Sequence, residues 1–380
     1  MKKLCYSSIV LLILFEILRV YLIMPLPGSQ EIDSVDLAWF LHSWRWVFRI
    51  VLLIGIVVPL IKSFRNFRKW VLFTLIIATG LICWLTSFVM SAEKMFLQPN
   101  HLVLASSLEN KIPGDHLVVG TEINGEATAY PIQLIAYHHQ VLDTIGGKPV
   151  MITYCSVCRS GRIFEPLVNG KYEAFRLVGM DHFNAMFEDQ TTGSWWRQAT
   201  GTAVAGELKG TSLSELNATQ MSVDNWFRTY PNGRVMQPDP DFIDFYDASG
   251  SYDRGEISGG LTGTDKQSWQ PKSWIIGIEI DYRSTAYDWN YLVQNRVIND
   301  TIAKQPIAIV LSTDGQSFAA FERPDMELFS LEGDTILAGV SRYSFSGIGS
   351  SGTNLRPLKA YQEFWHSWQS FHPGCNRYPN

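Results

Sequence analysis

The 380-residue sequence predicts an α+β fold, mainly β, made of two tandem degenerate repeats that form a pseudo-twofold extracytoplasmic unit behind three transmembrane helices. Three observations predict it. Apolar runs of spanning length are confined to the N-terminal quarter, the remainder matches itself at a fixed offset, and short apolar runs broken by Gly-Gly, Asn-Gly and Pro recur through that match. With 46% hydrophobic and 18% charged residues the chain is neither disordered nor a rod, and five cysteines are too few for a disulfide scaffold. The net charge of −5 is uneven: residues 1–95 carry ten Lys and Arg against five Asp and Glu, so residues 96–380 carry a net of −10. An acidic body lacks the cationic stripe that phosphate neutralisation needs, which excludes nucleic acid as a partner.

The membrane anchor is expected over residues 1–95, with spans at about 4–24, 46–61 and 70–90. The first and third runs, at ~1.5 Å per residue, match a hydrocarbon core of ~30 Å. The middle run carries Arg49 near one end, where it can snorkel, and Trp44, Trp46 and Trp70 stand where an aromatic belt sits. Met24-Pro25-Leu26-Pro27 follows the first run instead of a small-x-small cleavage site, so that run is expected to be retained. Lys2 and Lys3 precede the first span, Glu31, Asp33 and Asp36 dominate the first loop, and Lys62, Arg65, Arg68 and Lys69 crowd the second. The N terminus is therefore expected inside and the soluble part in the periplasm or outside, with the lipid bilayer as partner of the spans. Glu16 and Arg19, three apart in the first span, are expected to form a buried ion pair, the rival being an ion pathway.

Sliding the soluble part against itself by 157 positions aligns Val118–Glu165 with Ile275–Glu322 without a gap, at 14 identities in 48 positions. Val119-Gly120-Thr121-Glu122-Ile123 matches Ile276-Gly277-Ile278-Glu279-Ile280, Thr128-Ala129-Tyr130 matches Thr285-Ala286-Tyr287, and Asp143-Thr144-Ile145 matches Asp300-Thr301-Ile302. Further on the offset becomes 142, with Leu216, Ala218, Trp226 and Pro231 falling on Leu358, Ala360, Trp368 and Pro373. The first repeat is expected over 96–235, a connecting loop rich in Asp, Gly, Ser and Pro over 236–273, and a second, degenerate repeat over 274–380. Short strands such as 117–123, 150–154 and 172–178 are expected, with a helix at 132–142.

Positions common to both copies are explained by the fold, so the differences are the candidates for function. His138-His139 becomes Asn295-Arg296, and Cys155-Ser156-Val157-Cys158 becomes Ser312-Thr313-Asp314-Gly315. The Cys-x-x-Cys follows a strand and precedes another, with Gly161, Pro166 and Asn169-Gly170 forbidding a long helix, which is not the helix-N-terminal setting of a thioredoxin motif. Three readings stay open: a thiolate metal site for copper or zinc, completed by His138 and His182, a redox pair in which Cys155 attacks and Cys158 resolves, and a short-range structural disulfide. A third, non-catalytic class of function is a ligand-binding or assembly module using Trp195-Trp196 and the connecting loop. Trp196 itself is expected to fill core. No nucleotide-binding loop, Gly-x-Ser-x-Gly elbow or His-Glu-x-x-His pattern occurs, and Arg159 stands where c-type haem attachment needs histidine.

Ala129-Tyr130-Pro131, His138, Asp143-Thr144-Ile145-Gly146-Gly147-Lys148-Pro149-Val150, Thr153-Tyr154-Cys155-Ser156-Val157-Cys158, Thr192-Gly193-Ser194, Trp196, Gln198 and Gly201 resemble the prokaryotic domain of unknown function family DUF3179. The resemblance runs through about residues 110–375. It implies an exported or membrane-attached protein and carries no activity with it. The family usually has Pro after the first cysteine, Gly after the second and glutamate at the place of His139; this chain has Ser156, Arg159 and a second imidazole.

Overall fold

The computed structural model describes residues 1–350 and 352–379. Two compact units emerge. One comprises Met1–Leu97, Glu173–Arg197 and Thr202–Ser212, and the other Gln98–Tyr172, Gln198–Gly201 and the chain from Leu213 onward.

In the first unit three helices are long and apolar enough to cross a membrane, Lys2–Tyr21, Arg45–Asn66 and Lys69–Val89. Cys5, Ile9, Leu12 and Phe15 recur every three or four residues on the buried face of the first, as an amphipathic packing stripe requires. The other two leave Ile50, Val51, Ile54, Ile77 and Leu81 exposed, the composition of a lipid-facing surface. Glu16 does meet Arg19, with Nη2 donating at 3.1 Å, but the stronger partner comes from the second of these helices, Arg49, whose Nε and Nη2 donate at 2.6 and 2.9 Å. Thr86 from the third helix donates to the same carboxylate at 2.9 Å. One carboxylate thereby ties three helices, so the buried pair expected from sequence is a three-helix network. The same unit holds a four-stranded antiparallel sheet, Phe175–Asp181, Asn184–Asp189, Trp195–Arg197 and Ala203–Ala205. Val178, Met186, Trp195 and Ala205 of that sheet share one apolar cluster with Leu22, Ile23, Met24 and Leu41.

The second unit contains two stretches with the same order of elements. Strands Leu117–Ile123 and Glu126–Pro131, the seven-residue helix Ile132–His138 and strand Gln140–Ile145 come first. Strands Trp274–Ile280 and Arg283–Asp288, helix Trp289–Asn295 and strand Val297–Ile302 come later, each bound displaced by 157. Thr219–Ser222, helix Val223–Thr229 and Arg234–Met236 are likewise displaced by 142 from Tyr361–Phe364, helix Trp365–Phe371 and Asn376–Tyr378. Pairing follows suit: Gly120 opposes Thr219 as Gly277 opposes Tyr361, and Thr128 lies parallel to Arg234 as Thr285 does to Asn376. The physical reasons repeat as well. A Cβ at Gly120 would fall on the Trp226 ring and one at Gly277 on the Trp368 ring, so both close approaches demand glycine. Tyr130 donates to Asp143 at 2.6 Å, and Tyr287 to Asp300 at 2.8 Å.

The helix expected to reach residue 142 ends at His138. His139 adopts φ +57°, a left-handed cap, and Gln140–Ile145 runs on as a strand; Arg296 at φ +62° ends the later helix in the same way. The connecting stretch is not a bare loop: Phe242, Tyr252 and Asp253 within it are buried, and Pro240–Phe245 forms a 3-10 helix.

Candidate functional site

Strand Lys148–Cys155 and strand Ser160–Glu165 form a hairpin whose turn is Ser156-Val157-Cys158-Arg159. Tight turning is possible because Arg159 takes φ +57°. Cys155 and Cys158 close the turn as a disulfide, with their Cα atoms 5.2 Å apart. Both are fully buried, and Ser156 is the most exposed residue of the turn.

Buried ionisable groups surround the turn. The Arg159 side chain is fully buried, yet its partners are all neutral: Nε donates to Gln362 Oε1 at 3.1 Å, Nη1 to the Tyr252 carbonyl at 2.9 Å and Nη2 to the Asp253 carbonyl at 2.7 Å. Its guanidinium lies 3.6 Å from the Trp274 ring centroid. Among the described residues it forms no ion pair. The Val157 carbonyl accepts from Lys272 Nζ at 2.6 Å and lies 3.1 Å from His366 Nε2. Burial pushes the Lys272 ammonium down to about 8 and the His366 imidazole to about 4. The Tyr252 hydroxyl donates to the Ser156 carbonyl at 2.8 Å, so the connecting stretch covers the turn. Beside it, burial pushes Asp253 up to about 6; its Oδ2 accepts from the Leu117 amide and lies 3.5 Å from His116 Nδ1.

His138 ends its short helix in an aromatic setting of Phe242 and Tyr246, its Nε2 2.7 Å from the Tyr246 hydroxyl. His139 turns inward: Nδ1 meets the carbonyl of Tyr154, the residue before Cys155, at 2.8 Å, and the His139 carbonyl accepts from the Tyr154 amide. Burial lowers its pKa to about 4, so it is neutral at pH 7. His182 belongs to the other compact unit, at the tip of the hairpin 175–189, where Nδ1 meets Asp181 at 2.6 Å and Nε2 lies 3.3 Å from Asp33. Asp181 raises the His182 pKa, and Arg197 also donates to Asp181. Trp195 and Trp196 are fully buried, their indole N–H groups donating to Glu188 and Asp189, which makes them core residues with satisfied donors.

Sequence reasoning gave Arg159 no role at the site and passed over Lys272, His366 and Tyr252. The available signal was Arg159 itself, adjacent to Cys158 and aligned with the neutral Gln316 of the later stretch. It also passed over His101, Asp239 and Asp241, whose donor atoms lie within 4.8 Å of one another, with His101 and Asp241 exposed.

Fold and site together define a membrane-associated α/β protein with a buried cysteine pair whose hairpin turn carries the buried Arg159. The chain belongs to the family Protein of unknown function (DUF3179), which it matches over residues 98–375. No curated protein and no solved structure matches it.

Proposed function

We propose that this chain is a membrane-anchored, extracytoplasmic thiol-disulfide protein whose Cys155–Cys158 pair cycles between disulfide and dithiol. The buried Arg159 carries the reading. Arg159 is buried with only neutral hydrogen-bond partners, its nearest acidic influence being the Asp253 carboxyl, and a thiolate at the neighbouring Cys155 or Cys158 would add a second negative charge beside it. Nearby positive charge lowers a thiol pKa and so raises its thiolate fraction. In the later stretch both thiols and the cation are replaced together, by Ser312, Gly315 and Gln316. We read the two stretches as a duplication about a pseudo-twofold axis, the second copy being scaffold. The Lys and Arg of the short loops favour an N terminus inside, and three spans then put residues after about 95 outside the cytoplasm, where disulfides persist.

In the reducing direction, once the connecting stretch that holds Tyr252 over the turn has moved aside, the Cys155 thiolate attacks a disulfide of a partner protein, forming a mixed disulfide and expelling one partner thiolate. Cys158 then attacks Cys155 and expels the second, leaving the partner reduced by two electrons and the pair as the disulfide. The test is equilibration of the full chain, in detergent, with glutathione redox buffers, reading thiols by mass shift. Reversible two-electron exchange that Cys155→Ser abolishes is expected. Exchange seen only after denaturation would reduce the pair to a structural crosslink.

The reduced pair also suits a soft or borderline ion, copper(I) or zinc, with His138 as a third donor once Nε2 leaves the Tyr246 hydroxyl. About one equivalent of metal in anaerobically purified full chain, absent from Cys155→Ser/Cys158→Ser, is the outcome that favours this second reading.

A further inference from the structure

Within the first unit a cavity of about 470 Å³ opens at one end of the three spans. Arg19 comes from the last turn of the first span, Arg45 and Arg49 from the first turns of the second, and Thr86 to Phe88 from the end of the third, so all mark the same membrane face. Lys94 and Arg176 complete its cationic lining.

The charges do not cancel. Arg176 holds Glu93 at 2.9 Å and Glu188 at 2.6 Å, and Arg19 and Arg49 hold Glu16. Arg45 and Lys94 have no carboxylate at ion-pair distance among the described residues: Arg45 donates to the His42 carbonyl at 2.6 Å, and Lys94 lies 5.0 Å from the Phe88 ring centroid. Two positive charges are therefore in excess. Two buried nitrogens of the lining also lack a hydrogen-bond partner, Arg19 Nε and His42 Nδ1. Arg19 is 7% and His42 9% exposed, so water access does not relieve them. Trp46 and Phe88, both exposed, flank the opening at the depth where aromatic side chains meet lipid headgroups.

We propose that this cavity binds the phosphate-bearing headgroup of an anionic membrane lipid. A phosphodiester supplies the negative charge that Arg45 and Lys94 lack, and its oxygens become acceptors for the two nitrogens once the Arg19 and His42 side chains re-orient toward the cavity. Its acyl chains then run along the exposed apolar faces of the spans. The lipid is favoured over free phosphate because the opening lies at the span ends between aromatic residues, where a lipid phosphate is already concentrated. This site is separate from the cysteine chemistry and stands or falls without it.

The test uses the full chain in nanodiscs of phosphatidylcholine with graded phosphatidylglycerol, with bound lipid counted by native mass spectrometry. One tightly held phosphatidylglycerol is expected, with affinity falling roughly fivefold for each of Arg45→Gln and Lys94→Gln. Lys94 is exposed, so its variant leaves folding intact, while Arg65→Gln, at the far end of the second span, is expected to change nothing. Equal losses in Lys94→Gln and Arg65→Gln, or no preference over phosphatidylcholine, would overturn the site. Inorganic phosphate binding in lipid-free detergent as tightly as the lipid would overturn the lipid assignment.

Discussion

The turn Cys155–Ser160 and the turn Ser312–Ser317 occupy equivalent places, 157 residues apart, and solve one structural problem by different chemistry. Each lies against the start of a seven-residue helix from the opposite half, where exposed amides need acceptors. The later turn uses its side chains: Ser317 Oγ accepts from the Ser222 amide at 2.9 Å, and Asp314 Oδ2 accepts from Ser222 Oγ at 2.8 Å and Asn225 Nδ2 at 2.7 Å. The earlier turn uses backbone: the Cys158 carbonyl accepts from the Phe364 amide at 2.8 Å. Once main chain does the capping, the side chains of the turn are released from it. That release is what leaves room for two sulfurs and a buried guanidinium in the first half.

The largest effect is expected where the halves differ most. Arg159→Gln, which installs the residue type found at Gln316, strips hydrogen bonds from two buried carbonyls and should cost about 1–3 kcal/mol, read as a lowered Tm of the full chain in detergent. Gln316→Arg should stay within about 0.5 kcal/mol. Near-equal losses would mean that Arg159 is an ordinary surface-type residue and not a buried charge.

Next comes acid. His139 is neutral and buried, with a pKa of about 4 against an unfolded value near 6.5. The unfolded chain binds the proton first, so this contribution is whole above pH 6.5 and is lost as pH falls toward 4, by roughly 2–3 kcal/mol. His139→Asn, which tolerates the left-handed φ, should flatten that acid limb in pH-dependent unfolding.

Where the halves agree, the effects should agree. Gly120→Ala and Gly277→Ala each drive a methyl into a tryptophan ring and should cost about 1–3 kcal/mol, within error of each other. A neutral outcome at either one would show that its strand and helix can slide apart. Smallest is His182, whose pKa is raised by Asp181, so its protonated form stabilises the fold below the unfolded value and the gain fades as pH rises through the raised one. Because His182 is partly exposed, the effect is under about 1 kcal/mol. The Tm gap between native chain and His182→Gln should be wider at pH 6 than at pH 8.5, and an inverted gap would reverse the assigned sign.

Much of the fold was legible because hydrophobic periodicity and length are local properties. The spans followed from uninterrupted apolar runs, and the offsets of 157 and 142 follow the element bounds because strand, glycine and tryptophan positions answer to the same packing. The stop at His139 was not legible, since a left-handed residue other than glycine carries no strong local signal. Nor was the assignment of Glu173–Arg197 to the unit of the spans, which depends on long-range apolar contacts such as those of Val178 and Trp195. At the site, the cysteines and histidines stood out by type, whereas Arg159 looked like a surface charge until its burial was known, and Lys272 until its bond to the Val157 carbonyl was.

By itself the sequence determined that three apolar helices precede an acidic mixed α/β body and that the chemistry-bearing residues of its first stretch are missing from its second. Tertiary structure alone decided that the two sulfurs meet, that Arg159 is sealed in among neutral acceptors, that His182 belongs to a different unit from the cysteines, and that unpaired cations gather at the span ends. Residue types and local periods are written along the chain. Burial and charge pairing depend on which distant segments come together, and no local pattern encodes that.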